Sequence, residues 1–217
     1  MAEKYGTVPK RFTAKWWEYV RDYYKWRILV TAFALILIGY TVWQVKTATD
    51  YDVMVTLASS HGYGDGEIAA MTDMIRQNSA DINGDGEINV GITQLVYTGD
   101  LQIDTAYDTK FILSLQDSEC LIYLMDKERF DRLVGDGGGD ETFTPVSDWS
   151  DTDFDDNDCY ISGGVKYGVK VASGGEWKKH GFADAGLYLA VRKNYKEPEN
   201  TAKLYEACKN TADKLMR

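Results

Sequence analysis

Hydrophobic and polar residues follow three distinct patterns along this chain. Residues 28–45 form one uncharged stretch, ILVTAFALILIGYTVWQV. From residue 51 onward, short apolar runs alternate with segments in which apolar residues recur every three or four positions. An Asp- and Gly-rich stretch, residues 135–158, interrupts this alternation before two further apolar runs and a last amphipathic segment. The patterns predict one membrane span followed by a folded domain.

The uncharged stretch predicts an uncleaved transmembrane helix, which we assign to residues 28–46. Its 18 uncharged residues would extend about 27 Å as a helix, just enough for the hydrocarbon core of a membrane. Trp26 and Trp43 stand near its ends, where amphipathic rings favour the headgroup region. The alternatives are a cleaved signal peptide, although the following VKTATD lacks a clean small-x-small site, and a buried core helix, which the flanking charges disfavour.

Charge predicts the orientation of this span. Residues 1–27 carry seven Lys/Arg against three Asp/Glu, so the positive-inside rule places them in the cytoplasm and residues 47–217 outside. Aromatic residues at helical spacing predict an interfacial helix lying along the inner leaflet before the span, and a cytoplasmic partner-binding helix is the alternative. These residues are Phe12, Trp16, Tyr19, Tyr23 and Trp26.

The alternation after residue 50 predicts an α/β domain with three layers and a mostly parallel sheet. Strands at 51–59, 88–97 and 120–126, with helices between them, form a β-α-β-α-β series whose right-handed crossovers make the strands parallel. Two further strands are predicted at 167–173 and 186–194, and a last helix follows Pro198. Residues 135–158 are predicted to be a long surface loop, with a solvated acidic part.

The order of elements up to LIYLMD, residues 121–126, resembles the N-terminal lobe of extracytoplasmic solute-binding proteins. The segment KYGVKVASGG to GLYLAVRKN, residues 166–194, is similar to the place where those proteins re-enter a lobe. As a whole, the chain resembles single-pass membrane proteins of Gram-positive anaerobes, in which a basic aromatic leader and one span precede a domain with a D-x-N-x-D-G loop. The resemblance implies a single ligand-binding lobe, because residues 47–217 are too few for two closing lobes.

The stretch DINGDGEINV, residues 81–90, matches the beginning of an EF-hand-like calcium loop. Asp81, Asn83 and Asp85 occupy loop positions 1, 3 and 5, and Gly86 is the glycine at position 6. Glu87 would offer its backbone carbonyl at position 7. We therefore predict a calcium site at 81–92, with a turn that binds no ion as the alternative.

The predicted calcium loop lacks its last ligand, since position 12 is Ile92 where an EF-hand has a bidentate Glu. The loop joins a helix to a parallel strand, so it lies at the N-terminal edge of the sheet. The missing carboxylate should come from the same edge, and ligands of open α/β sheets bind at the opposite edge, which favours a structural ion. The candidates are Asp50, Asp52, Asp117 and Glu119.

Composition narrows the function without naming it. The chain carries 24 Lys/Arg against 34 Asp/Glu, which argues against a nucleic-acid partner. Three cysteines match neither a zinc nor a redox motif, so we predict three small buried side chains. No Walker A, GxGxxG or GxSxG motif occurs.

These features predict a membrane-anchored, extracytoplasmic, calcium-binding module for a protein or small ligand, and not an enzyme. One alternative is a structural or assembly subunit of a cell-surface complex. The other is a hydrolase that uses the loop at residues 59–65, which holds Ser59, His61 and Asp65.

Overall fold

A computed structural model of the chain describes residues 9–47, 49–117, 119–134, 139–182, 186–194 and 199–217. The chain divides into two compact units, Met1–Thr49 and Asp50–Arg217.

The first unit is built around one long helix, α1 (Ala14–Thr47). The helix begins after Thr13, whose hydroxyl accepts a hydrogen bond from the backbone N–H of Trp16 at 3.3 Å. Within it, Tyr24–Gln44 is long and apolar enough to cross a membrane, and this segment is not buried within the protein. The helix continues through Arg27 without a break, whereas the sequence led us to expect a separate interfacial helix before the span.

The second unit alternates strands and helices in its first half and contains three antiparallel strands in its second half. In chain order its elements are β1 (Val53–Ser59), α2 (Asp65–Asn78), β2 (Val90–Val96), α3 (Leu101–Gln116), β3 (Cys120–Asp126), α4 (Lys127–Val134), α5 (Gly139–Thr142), β4 (Cys159–Ser162), β5 (Val165–Lys170), α6 (Gly175–Lys179), β6 (Leu187–Val191) and α7 (Glu199–Met216). Three short 3-10 helices lie at Val146–Asp148, Asp156–Asp158 and Val171–Ser173.

The strands form a single six-stranded mixed sheet in the order β2-β1-β3-β6-β5-β4. The predicted parallel arrangement of β1, β2 and β3 is confirmed. The pairings of β6 with β3, of β5 with β6 and of β4 with β5 are antiparallel, so β1, β2, β3 and β5 run in one direction. Strand β4 was not predicted, because its four residues follow an Asp-rich segment and show no clear alternation.

Helices pack on both faces of the sheet, which confirms the three-layer α/β architecture. One face packs against α2, α6 and α7, with Met71, Trp177 and Leu215 in its core. The other face packs against α3 and α4 and has an aromatic core. That core includes Tyr97, Phe111, Tyr123, Phe130, Phe143 and Tyr160.

The described part of the Asp-rich stretch, residues 139–158, has an exposed acidic part, as the sequence predicted, but it is packed against the domain and is not a surface loop throughout. Its aromatic side chains pack inward, and Phe143, Trp149 and Phe154 are all buried. Its acidic residues are partly neutralised, because the ammonium group of Lys166 lies 2.9 Å from Asp156 and 3.5 Å from Asp153. The buried aromatic side chains therefore anchor this acidic segment to the domain.

The three cysteines are free and buried, as predicted. The thiol of Cys120 lies 3.1 Å from the hydroxyl of Thr56, within hydrogen-bonding distance. Burial raises the pKa of Cys208 to about 12, so its thiol stays protonated at neutral pH. All three side chains act as small core residues.

The close approach of Gly174 to α7 gives a stability prediction. A Cβ on Gly174 would lie 2.7 Å from Cδ1 of Trp177 and 2.9 Å from the backbone oxygen of Leu215. We expect Gly174→Ala to lower the free energy of unfolding by about 1–3 kcal/mol, because α7 must move to admit the methyl group. Urea unfolding of the detergent-solubilised chain, followed by near-UV circular dichroism, measures this change.

Gly66 provides the matched control. It lies in α2, and a Cβ there would meet no atom of the described residues within 4 Å. Gly66→Ala should leave stability unchanged or raise it by up to about 1 kcal/mol, because alanine favours a helix more than glycine does. Equal stabilities of the two variants would contradict the close packing of Gly174.

Candidate functional site

The predicted calcium loop connects α2 to β2 at the N-terminal edge of the sheet. Val90, the first residue of β2, pairs with Val53, the first residue of β1. The loop therefore lies beside the entry to β1, where the sequence analysis placed it. Asp81, Asn83, Asp85 and Glu87 all lie in this loop and are exposed.

Asp81 organises the turn through both of its carboxylate oxygens. Oδ1 accepts a hydrogen bond from the backbone N–H of Gly84 at 2.6 Å, and Oδ2 accepts one from Gly86 at 2.9 Å. Both glycines have left-handed backbone angles, with φ of 77° and 88°. A residue with a Cβ adopts such angles only at a cost, which explains glycine at these two positions.

The next two polar side chains continue the same pattern. Oδ1 of Asn83 accepts from the backbone N–H of Asp85 at 2.9 Å, and Oδ1 of Asp85 accepts from that of Glu87 at 2.8 Å. The side-chain amide of Asn83 also donates to Oδ2 of Asp85 at 3.2 Å. Side-chain oxygens thus follow the inside of a tightly curved backbone.

Asp52 fastens this loop to the first strand. It is only 1% exposed. Its Oδ1 accepts from the backbone N–H groups of Ile82 at 2.7 Å and Asn83 at 3.2 Å, and its Oδ2 accepts from Asn89 at 2.8 Å. The backbone N–H of Asp52 also donates to the carbonyl of Asn89 at 2.8 Å. One buried carboxylate therefore holds both ends of the loop.

The four candidates for the missing ligand take different positions. Asp52 directs both oxygens to backbone N–H groups, so its role is to anchor the loop. Asp50 and Glu119 line a cleft of about 620 Å³ together with Asn83. Asp117 follows α3 and accepts a hydrogen bond from the backbone N–H of Glu119 at 3.0 Å. The structure thus brings Asp50 and Glu119, but not Asp117, to the cleft beside the loop.

The donor set is suited to a hard cation but is incomplete in this arrangement. Asp81, Asn83 and Asp85 supply oxygen atoms. Ca²⁺ binds through oxygen ligands and needs six to eight of them. Among the residues that the structure describes, no group of three or more His, Cys, Asp or Glu side chains is arranged to hold a metal ion. A bound calcium ion would therefore need the backbone carbonyl of Glu87, water, or the cleft carboxylates as well.

The serine–histidine pair at the opposite edge does not form a catalytic arrangement. The hydroxyl of Ser59 donates to the backbone carbonyl of His61 at 2.6 Å and not to its imidazole. The imidazole ring instead packs edge-on against Tyr63, with ring centroids 4.8 Å apart. Asp65 begins α2. This geometry gives the hydrolase alternative no support.

A second cavity, of about 180 Å³, lies where β2 and β3 end. Its lining includes Arg129, which is buried in the first turn of α4, with its guanidinium 4.0 Å from the ring centroid of Tyr97. Burial, followed by the charge and hydrogen bond of Asp108, raises the pKa of Tyr97 to about 12. The sequence analysis missed this site, and the available signal in the sequence was an arginine three positions beyond an apolar strand.

Comparison with models of known protein families, with curated proteins and with solved structures finds no match for this chain. The similarity to one lobe of a solute-binding protein therefore remains a prediction.

The contacts of Asp52 predict that it is the most important carboxylate of the loop for stability. Asp52→Ala removes the acceptor of three backbone hydrogen bonds in a buried position, so we expect it to lower the free energy of unfolding by about 3 kcal/mol or more. Asp50→Ala, at the exposed neighbouring carboxylate, should change stability by less than about 0.5 kcal/mol. Urea unfolding in calcium-free buffer measures both, and equal effects would contradict the anchoring role.

Proposed function

We propose that this chain is a membrane-anchored extracytoplasmic domain that binds a protein or small ligand, and that a structural calcium ion at residues 81–92 stabilises it. The observation that carries the proposal is the loop held by Asp52. The backbone of this loop turns at two glycines in left-handed conformation, and the polar side chains at positions 1, 3 and 5 accept hydrogen bonds from the backbone of the turn.

Calcium suits this loop because the side-chain oxygen atoms of the loop still have lone pairs that can coordinate a cation. Each side-chain oxygen of Asp81, Asn83 and Asp85 accepts one backbone or side-chain hydrogen bond, and an oxygen of this kind has a second lone pair. Asp50 and Glu119, which share a cleft with Asn83, are the nearest carboxylates that could replace the Glu of an EF-hand.

The position of the loop supports a structural role for the ion. The loop precedes β2, whereas ligands of open α/β sheets bind beyond the carboxyl ends of the strands. An ion at the N-terminal edge would join the entry of β1 to the entry of β2 and would not touch a ligand at the other edge.

Helix α1 supports both the proposed membrane anchor and its proposed orientation. Tyr24–Gln44 has the length and composition of a span, and the basic residues before it favour a cytoplasmic N-terminus. The domain would then lie outside, where calcium is available at the concentrations that match extracellular modules, about 10⁻⁴–10⁻³ M.

A structural or assembly subunit is the second candidate function. The surface of α3 favours it, because Leu101, Ile112 and Leu113 are 81%, 53% and 58% exposed. Apolar residues at the surface of a domain are suited to contact with another protein.

The calcium proposal predicts a stability change that depends on the ion. With a dissociation constant of about 10⁻⁴–10⁻³ M, 10 mM Ca²⁺ should stabilise the folded state by about 1–3 kcal/mol. This corresponds to an increase of several degrees in the melting temperature. Thermal unfolding of the full chain in detergent, with calcium and with a chelator, measures the shift.

The loop variant and its control locate the ion. Asp81→Ala combined with Asp85→Ala should abolish the calcium-dependent increase, whatever its effect on the melting temperature without calcium. Asp148→Ala combined with Asp151→Ala removes two exposed carboxylates elsewhere and should leave the increase intact. An increase that survives in the loop variant, or none in the parent chain, would overturn the calcium proposal.

The proposed orientation predicts which side of the membrane each end of the chain occupies. Asp73→Cys places a thiol on the surface of α2, where the native side chain is 60% exposed, and it should react with a membrane-impermeant maleimide on intact cells. Lys10→Cys, before α1, should react only after the cells are permeabilised. Labelling of the native chain, whose three cysteines are buried, measures the background reaction. The reverse labelling pattern would place the domain in the cytoplasm.

A further inference from the structure

The cavity at the ends of β2 and β3 lies where open α/β sheets bind ligands. Tyr97 directly follows β2, and Arg129 lies in the first turn of α4, which directly follows β3. Helix α3 closes the cavity from the side. The lining residues are Tyr97, Asp108, Phe111, Ile112, Arg129 and Arg132.

Arg129 is buried, and two of its nitrogen donors have no acceptor in the described part of the chain. The residue is 6% exposed. Its Nη2 donates to the carboxylate of Glu128 at 2.6 Å, while Nε and Nη1 have no hydrogen-bond partner among the residues that the structure describes. Stacking on Tyr97 covers the face of the guanidinium but satisfies none of its N–H groups. Buried donors without partners are rare and costly, so an acceptor from outside the chain would stabilise this site.

The charges around the cavity favour an anion. Two arginines line it and one carboxylate opposes them, since Nη1 of Arg132 lies 3.9 Å from Asp108. The partner of Arg129, Glu128, has a side chain that is 69% exposed and does not line the cavity. An anion that enters would therefore meet a buried guanidinium whose ion pair, with Glu128, lies outside the cavity, while the Asp108 carboxylate is paired with Arg132.

The walls and the size of the cavity narrow the kind of anion. Phe111 and the ring of Tyr97 form apolar walls, and Ile112 lies at the surface with 53% exposure. The volume of about 180 Å³ is smaller than the roughly 300–1,000 Å³ of pockets for drug-sized molecules. It suits one charged group with a short carbon chain.

We propose that this cavity binds the carboxylate group of a small organic acid at Arg129, with the carbon chain of the acid against Phe111 and Ile112. The inference rests on the proposed ligand-binding role and names its ligand class, but it does not depend on calcium. The two sites lie at opposite edges of the sheet.

Ligand-observed NMR titrations of the full chain in deuterated detergent test the proposal with acetate, propionate, butyrate, butyramide and inorganic phosphate. Butyrate should bind more tightly than acetate, by up to about fourfold for each buried CH₂ group. Butyramide, which has the same shape without the charge, should bind at least tenfold more weakly than butyrate. Phosphate should also bind more weakly, because it has no apolar part.

Variants separate the contribution of the guanidinium from that of the apolar wall. Arg129→Met should abolish butyrate binding, and Arg76→Met, at an exposed arginine of α2 that does not line the cavity, should not change it. Because Arg129→Met could disturb folding, Ile112→Glu provides a surface change that places a carboxylate beside the cavity. It should weaken butyrate binding at least tenfold more than Ile112→Gln, which matches it in shape.

Each contrary result overturns the inference. Equal binding of butyrate and butyramide would show an apolar cavity without anion recognition. Tighter binding of phosphate, with no effect of chain length, would show an inorganic anion site. Absence of butyrate binding at tens of millimolar, or binding that Arg129→Met leaves unchanged, would show that Arg129 has a structural role alone. The calcium-dependent melting shift, measured on the same samples, shows separately whether the calcium proposal holds.

Discussion

The buried carboxylate of Asp52 is the constraint on which the arrangement of the candidate calcium loop depends. It lies just before β1 and accepts hydrogen bonds from both ends of the loop, at Ile82 and Asn89. The loop conformation and the pairing of β1 with β2 are therefore linked, because Val53 and Val90 follow the bonded residues directly. A hydrogen bond to a charged group is worth about 1.5–3 kcal/mol, so three of them in a buried site offset a large part of the entropy cost of ordering the loop.

The two edges of the sheet provide two different chemical environments. The N-terminal edge presents exposed oxygen atoms around Asp81 and a cleft lined by Asp50 and Glu119. The C-terminal edge presents a buried guanidinium, Arg129, against aromatic rings. The first environment is suited to a cation that stabilises the fold, and the second is suited to an anionic ligand. The two proposed sites therefore lie at opposite ends of the parallel strands.

Much of this fold could be predicted from the sequence because its first half follows simple periodic patterns. The parallel strands are short apolar runs, α2 shows helical spacing, and the polar residues of the candidate loop lie close together in the chain. The sequence analysis placed Asp52 beside the loop as a candidate ligand, but its role as a buried acceptor of three backbone hydrogen bonds could not be predicted, since an acidic residue before a strand usually faces water. The burial of Arg129 and Phe154 depended in the same way on packing between distant segments.

The central claim is that the loop held by Asp52 binds calcium, and amide NMR spectra of the full chain in detergent test it most directly. Signals of Gly84 and Gly86 should shift during a calcium titration along one single-site curve, because their N–H groups bond to Asp81. The signal of Gly99, which also has a positive φ but lies in the turn before α3, should not move. Stationary signals of Gly84 and Gly86 at 10 mM calcium would contradict the account.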